Sequence, residues 1–121
     1  MKIGVLKETQ KGEKRVSISP NIAKQLIASG FEVLVEEEAG FASSYQNSNY
    51  EEAGTQIVKR DVIFKEADIL IKINPFDAED LALVNKSQVL MSQLYHKSSP
   101  ELLEAIAKTG ATAFSMDAMP R

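Results

Sequence analysis

The sequence predicts an α/β fold, a mostly parallel sheet of about six strands with helices on both faces. Three observations predict it. Short apolar runs alternate with segments of helical period, as in "KIGVLKE" and then "IAKQLIASG", and such alternation implies right-handed βαβ units. The runs "ILIKI" and "QVLM" are apolar almost throughout rather than at every second residue. That is the pattern of parallel strands buried on both faces. The helical segments also carry start and stop residues in the right order, serine and proline ahead of them and glycine behind.

Each element follows from its residues. Ile3–Leu6 is a compact branched run and forms the first strand. Ser19 caps a helix that Pro20 begins; Ile22, Leu26 and Ile27 fall on one side of it and Gly30 stops it. Phe31–Glu37 is a strand. "NYEEAGTQIV" gives a short helix ending at Gly54 and a short strand over Gln56–Val58. "DVIFKEA" gives a turn or two of helix with Asp61 at its start. Asp68–Asn74 is a strand, ended by Pro75, which cannot donate to a ladder. "DAEDLALV" is a short helix and Gln88–Tyr95 a strand. In "SSPELLEAIAKTG" Ser99 is the N-cap, Pro100 the first helical residue, Glu101 and Glu104 lie early, Lys108 late, and Gly110 stops the helix. "TAFSMDAM" is the last strand. The whole reads as a flavodoxin/Rossmann-like three-layer sandwich, a single domain over residues 1–121 with no repeat and no linker. The last strand lacks a covering helix, which points to a fragment of a longer chain.

The composition limits the function. A chain of 121 residues is about one domain and buries roughly two thirds of its unfolded surface. The net charge is −3, with Lys and Arg scattered rather than gathered in a stripe. That argues against a nucleic-acid or anionic-membrane binder. There is no cysteine, hence no disulfide frame, thiolate nucleophile or cysteine-based zinc site. No apolar run is long enough for a membrane span, and this segment is expected to lie outside any bilayer.

In an open parallel sheet, ligands bind beyond the carboxyl ends of the strands. The loops to search are Lys7–Arg15, Gly40–Gln46, Asn74–Phe76, Tyr95–Ser99 and Asp117–Arg121. The six glycines are isolated and no G-x-G occurs, so the segment lacks the fingerprint that lets a backbone approach a pyrophosphate. Arg15 precedes a capped helix and can fork onto a carboxylate, or else is a solvated loop charge. Lys72 interrupts an apolar strand. Either its ammonium reaches the mouth of a cleft at the strand's end, or the strand lies near an edge of the sheet. Asn74 falls on the same side as Lys72 or shapes the turn before Pro75. His96, the only histidine, is an acid/base candidate beside Tyr95, with solvation in a loop as its plainer reading. Asp117 reads as an end-of-strand hydrogen-bonding group, Met116 and Met119 as core filler, and Glu36–Glu38 as a solvated strand end. No metal-ligand spacing is present.

Five blocks, "MKIGVLKE", "EKRVSISP", "GFEVLVEEEAG", "DILIKINPF" and "MDAMPR", stand in an order that resembles the N-terminal domain shared by alanine dehydrogenases and the alpha subunit of proton-translocating NAD(P) transhydrogenase. The resemblance runs over essentially the whole chain. It implies a two-domain subunit in which a separate Rossmann-type domain grips NAD(H) and this domain forms the other wall of the cleft. Alanine dehydrogenases, as the resemblance implies, use an Arg at the position of Arg15, a substrate Lys two residues beyond Lys72, and a catalytic His directly after the fifth strand. Here those last two places hold Asn74 and Tyr95, with His96 one residue late.

The resemblance therefore favours the transhydrogenase branch: hydride transfer between NADH and NADP+ coupled to proton translocation. It implies no catalytic, metal or cofactor-binding residue within 1–121, and a cleft lined by Arg15, Lys72, Asn74, Tyr95 and His96. NAD(H) and NADP(H) serve the full enzyme and neither is held by this segment alone, which is expected to be inactive by itself. The implied partners are the rest of the alpha subunit, a membrane-embedded NADP-binding subunit and a second copy in a homodimer, with the segment cytoplasmic and peripheral to the inner membrane. The alternatives are an alanine dehydrogenase-like amino-acid oxidoreductase and a stand-alone assembly module without catalysis.

Overall fold

The computed structural model describes residues 1–92 and 100–115. The strands are β1 (Lys2–Val5), β2 (Glu32–Glu36), β3 (Gln56–Val58), β4 (Ile69–Ile71), β5 (Val89–Ser92) and β6 (Thr112–Ser115). They form a 6-stranded sheet in the order β3-β2-β1-β4-β5-β6. Every neighbouring pair is parallel. The connections carry α1 (Pro20–Ala28), α2 (Asn47–Glu52), α3 (Arg60–Glu66), α4 (Ala78–Leu81) and α5 (Pro100–Thr109). This is the doubly wound arrangement that the alternation of elements predicts.

Strand alternation splits the core in two. Ile3, Val5, Val33 and Val35 face one way and pack with Ala23 of α1 and Tyr50 of α2. Leu34, Leu70 and Leu90 face the other way, against Ile63 and Phe64 of α3, Leu81 of α4 and Ile106 of α5. Helices cover both faces for the physical reason given by the sequence: strands apolar on both sides need cover on both sides. Gly4 takes the place of a side chain where α3 crosses β1. An ideal Cβ there would lie 2.5 Å from Ile63 Cγ2 and 2.8 Å from Ala67 Cβ.

The helix ends follow the predicted punctuation. Ser19 Oγ accepts the Ile22 N–H at 3.3 Å, with Pro20 next to it as the first helical residue. At the other end Gly30 has φ +101°, and the N–H groups of Gly30 and Phe31 return to the carbonyls of Ile27 and Leu26. That pair of bonds is a Schellman closure, which favours glycine at the left-handed position. α3 begins one residue earlier than expected, at Arg60. A 3-10 turn over Phe41–Ser43 was not anticipated.

Three expectations need correction. β4 stops at Ile71 rather than at residue 74. The Lys72 N–H still reaches the Met91 carbonyl at 3.1 Å, but the next two amides, of Ile73 and Asn74, are taken by the carboxylate of Glu8. The ladder ends because a side chain outcompetes the neighbouring strand. β4 also lies between β1 and β5, so the edge-strand explanation of Lys72 does not hold. The acidic run is not simply solvated either: Glu36 accepts the Lys7 N–H at 2.9 Å and pairs with Arg60 at 2.6 Å. No helix among the described residues is long and apolar enough to cross a membrane.

Candidate functional site

Between β1 and β4 the connections turn in opposite directions, one toward β2 and the other toward β5. Such a switch point opens a crevice at the carboxyl ends of the strands. The residues that meet there come from the segment after β1 and the segment after β4. Glu8, buried at 8% exposure, is the joint between them. Its Oε2 accepts the Ile73 N–H at 2.8 Å, and its Oε1 accepts the backbone and side-chain amides of Asn74 at 3.0 and 3.3 Å. Asn74 Nδ2 also donates to Glu13 Oε1 at 3.0 Å. Glu13 in turn receives Arg15 through Nε at 3.1 Å and Nη2 at 2.7 Å, and the Lys14 N–H at 3.1 Å.

The electrostatics follow from these bonds. The hydrogen bond from the Arg15 guanidinium, working against desolvation and helped by Asn74, holds the Glu13 carboxyl down at about 2. Glu13 is thus a carboxylate across the physiological range. Arg15 is exposed and borders two hollows. One of 160 Å³ also touches Glu8 and Phe41, and one of 280 Å³ also touches Gln10 and Asn74. Two carboxylates here face one guanidinium.

A second cluster sits behind the first. Arg60 Nη1 donates to Glu36 Oε1 at 2.6 Å and to the Lys7 carbonyl at 3.2 Å. Its Nε and Nη2 fork onto Asp80 Oδ1 at 3.1 and 2.7 Å. Burial alone would lower the Arg60 pKa, but its hydrogen bonds to Asp80 and the charges of Glu36 and Asp80 outweigh it and raise it. Lys72, only 2% exposed, places Nζ 3.5 Å from Asp80 Oδ2 and 5.6 Å from the centre of the Phe76 ring.

The predicted residues therefore separate. Arg15 and Asn74 lie in the crevice, while the ammonium of Lys72 turns to Asp80 in the interior. Tyr95, His96, Ser99, Met116, Asp117 and Met119 lie outside the described residues. Glu8, Glu13, Arg60 and Asp80 escaped the sequence reading. Glu8 stands just after a strand and Glu13 two residues before Arg15, positions that could have marked them. Asp80 looked only like part of a helix start, and it is one, since its N–H donates to the Asp77 cap at 2.8 Å. No group of three or more metal-ligating side chains occurs among the described residues.

The first βα connection differs from a glycine-rich pyrophosphate cradle. Pro20 offers no N–H, Ser19 already takes the Ile22 N–H, and Gly12 is the sole glycine between β1 and α1. Neither the glycine pair nor the open helix start of such a cradle is present.

The family model described as "Alanine dehydrogenase/PNT, N-terminal domain" matches residues 4–121. The chain belongs to that family. It is 33% identical over 121 residues to the NAD(P) transhydrogenase subunit alpha of Haemophilus influenzae, covering 100% of this chain and 23% of the relative. It is 35% identical to the alanine dehydrogenase of Bacillus subtilis, covering 97% of this chain and 31% of the relative. A solved transhydrogenase from Sinorhizobium meliloti superposes with TM-score 0.94 at 30% identity, covering 100% of this chain and 36% of its own. This alanine dehydrogenase/PNT domain thus spans about a quarter to a third of these longer relatives. Identity to the two branches is nearly equal, so the difference between them must be sought in the site.

Proposed function

We propose that this domain is the N-terminal part of the NAD(H)-binding subunit of a transhydrogenase, which moves hydride between NADH and NADP+ and couples the transfer to proton translocation. The observation that carries the proposal is Asn74. In the alanine dehydrogenase branch the resemblance puts a substrate lysine there, whose charge would offset the nearby carboxylates. Here a neutral amide donates to both Glu8 and Glu13. An oxyacid entering the crevice would meet two carboxylates and a guanidinium already forked by Glu13, poor electrostatics for its carboxylate.

The reaction itself asks little acid–base chemistry of this domain. Hydride passes between the two nicotinamides, NADH becoming NAD+ as NADP+ becomes NADPH, and both rings must meet with water excluded. In this reading the crevice residues supply one rigid wall, a second domain of the same subunit grips NAD(H), and the NADP-binding partner lies at the membrane. The subunit acts as a homodimer on the cytoplasmic side.

The test uses the full-length subunit with its NADP-binding partner. NADH-dependent reduction of an NADP+ analogue with its own absorbance is expected, with no L-alanine-dependent reduction of NAD+. Robust alanine oxidation without transhydrogenation would overturn the reading in favour of the amino-acid oxidoreductase. Arg15 at the crevice mouth is the observation on which that second reading stands.

A further inference from the structure

We propose that Arg60 is a positioning residue for the switch-point site, holding Asn74 in place through two arms that converge on it. The first arm runs through the segment after β1. Arg60 Nη1 donates to the Lys7 carbonyl at 3.2 Å, while its partner Glu36 accepts the Lys7 N–H at 2.9 Å. Lys7 is held at both its backbone polar groups, and the next residue is Glu8, whose carboxylate takes the amides of Ile73 and Asn74. The second arm runs through α4. Arg60 forks onto Asp80 Oδ1. Asp80 Oδ2 faces Lys72 Nζ at 3.5 Å and accepts the Asp77 N–H at 3.5 Å. The segment that contains Asn74 is therefore pinned on both sides, at Lys72 and at Asp77.

One guanidinium reaches the segment just after β1, the end of β2 and the helix α4. Only a planar fork with several donors can do this; a lysine ammonium is a single point and cannot span Glu36, Asp80 and the Lys7 carbonyl together. The partners are shielded from water, with side-chain exposures of 24% for Arg60, 13% for Glu36 and 5% for Asp80, so screening does not erase the pairs. Arg60 itself touches neither Asn74 nor Arg15 in any hydrogen bond of the network. Its effect on the crevice passes through Glu8 and Asp80.

The experiment compares wild type, Arg60→Lys and Arg60→Gln in the full-length subunit. Amide hydrogen exchange is read by mass spectrometry in a peptide spanning residues 72–77 and in one spanning α1, on the opposite face. Both variants are expected to speed exchange in 72–77 by about tenfold or more, the effect of losing a local anchor, with α1 changed by less than about twofold. Unchanged exchange in 72–77, or equal acceleration in both peptides, overturns the proposal. Full restoration by Arg60→Lys overturns it as well, since charge alone would then suffice. The kinetic consequence rests on the transhydrogenase reading: kcat for hydride transfer falls while the NADH dissociation constant stays put, because the dinucleotide is gripped elsewhere. Absence of hydride transfer in wild type would sink that reading and leave the exchange data to judge Arg60.

Discussion

Asn74 hangs from Glu8. Its backbone and side-chain amides both donate to the same oxygen, Oε1, at 3.0 and 3.3 Å. The other oxygen of that carboxylate is taken by the Ile73 N–H. Replacing Glu8 by Ala strips the acceptor from two buried backbone amides. The expected cost is about 2–4 kcal/mol, the range for buried donors left without partners. Urea unfolding of the subunit measures it, and Glu8→Gln, which keeps one carbonyl oxygen, is expected to lose less.

Gly4→Ala tests the approach of α3 to β1. The added methyl would lie 2.5 Å from Ile63 Cγ2 and 2.8 Å from Ala67 Cβ. Overpacking of this kind costs about 1–3 kcal/mol. Adding Ile63→Ala removes the nearer atom, so the double variant is expected to lose less than the two single losses combined, by about 0.5 kcal/mol or more. Strict additivity would show that the strain lies elsewhere.

Acid stability should report the Arg15–Glu13 pair. Glu13 is depressed from 4.5 to about 2, first by the hydrogen bond from Arg15. A carboxyl lowered in the fold stabilises it above its unfolded pKa, and that contribution fades as pH falls. The stability difference between wild type and Glu13→Gln is therefore expected to be flat above about pH 4.5 and to shrink toward pH 2. A difference independent of pH across this window would rule out the ion pair as its source.

Alkaline stability should report Tyr50. Burial, with a smaller contribution from Tyr45, pushes its hydroxyl from 10.0 up to about 12, and that hydroxyl donates to the Ile18 carbonyl at 2.7 Å. An acid whose folded pKa is raised gives its full stabilisation below the unfolded pKa and loses it as pH rises through the folded value. Wild type should therefore lose stability between pH 10 and 12 by more than Tyr50→Phe does. The variant itself should cost about 1 kcal/mol at neutral pH through the lost hydrogen bond.

Much of the fold was legible because its signals are local. Ser19, Pro20 and Gly30 carry the start and stop of α1 in three residues, and the apolar runs gave the strands. What was not legible depends on partners far along the chain. β4 ends early because Glu8, on another strand's exit loop, claims the amides of Ile73 and Asn74. Glu36 looked like one of three solvated acids because nothing near it in sequence announces Arg60. The same holds for Lys72, whose counter-charge, Asp80, lies across a loop. Arg15 and Asn74 could be picked out by position after a strand, and Glu8 and Glu13 stand in the same kind of place, but nothing near them in sequence announces that their carboxylates bridge to Asn74.

The strand order also governs how the chain can be made. β1 is synthesised before the other five strands yet lies inside the sheet, with Ile3 opposite Val33 on one side and Ile69 on the other. A nascent polypeptide that stops short of Ile69 can close only one of those sides, leaving an apolar ladder edge open over Ile3–Val5. Pairings between such distant segments are slow to form, and open edges recruit other chains while they wait. Ribosome-bound intermediates ending before Ile69 are therefore the ones a holdase chaperone would be expected to shield, and release should follow once Ile71 has cleared the exit tunnel.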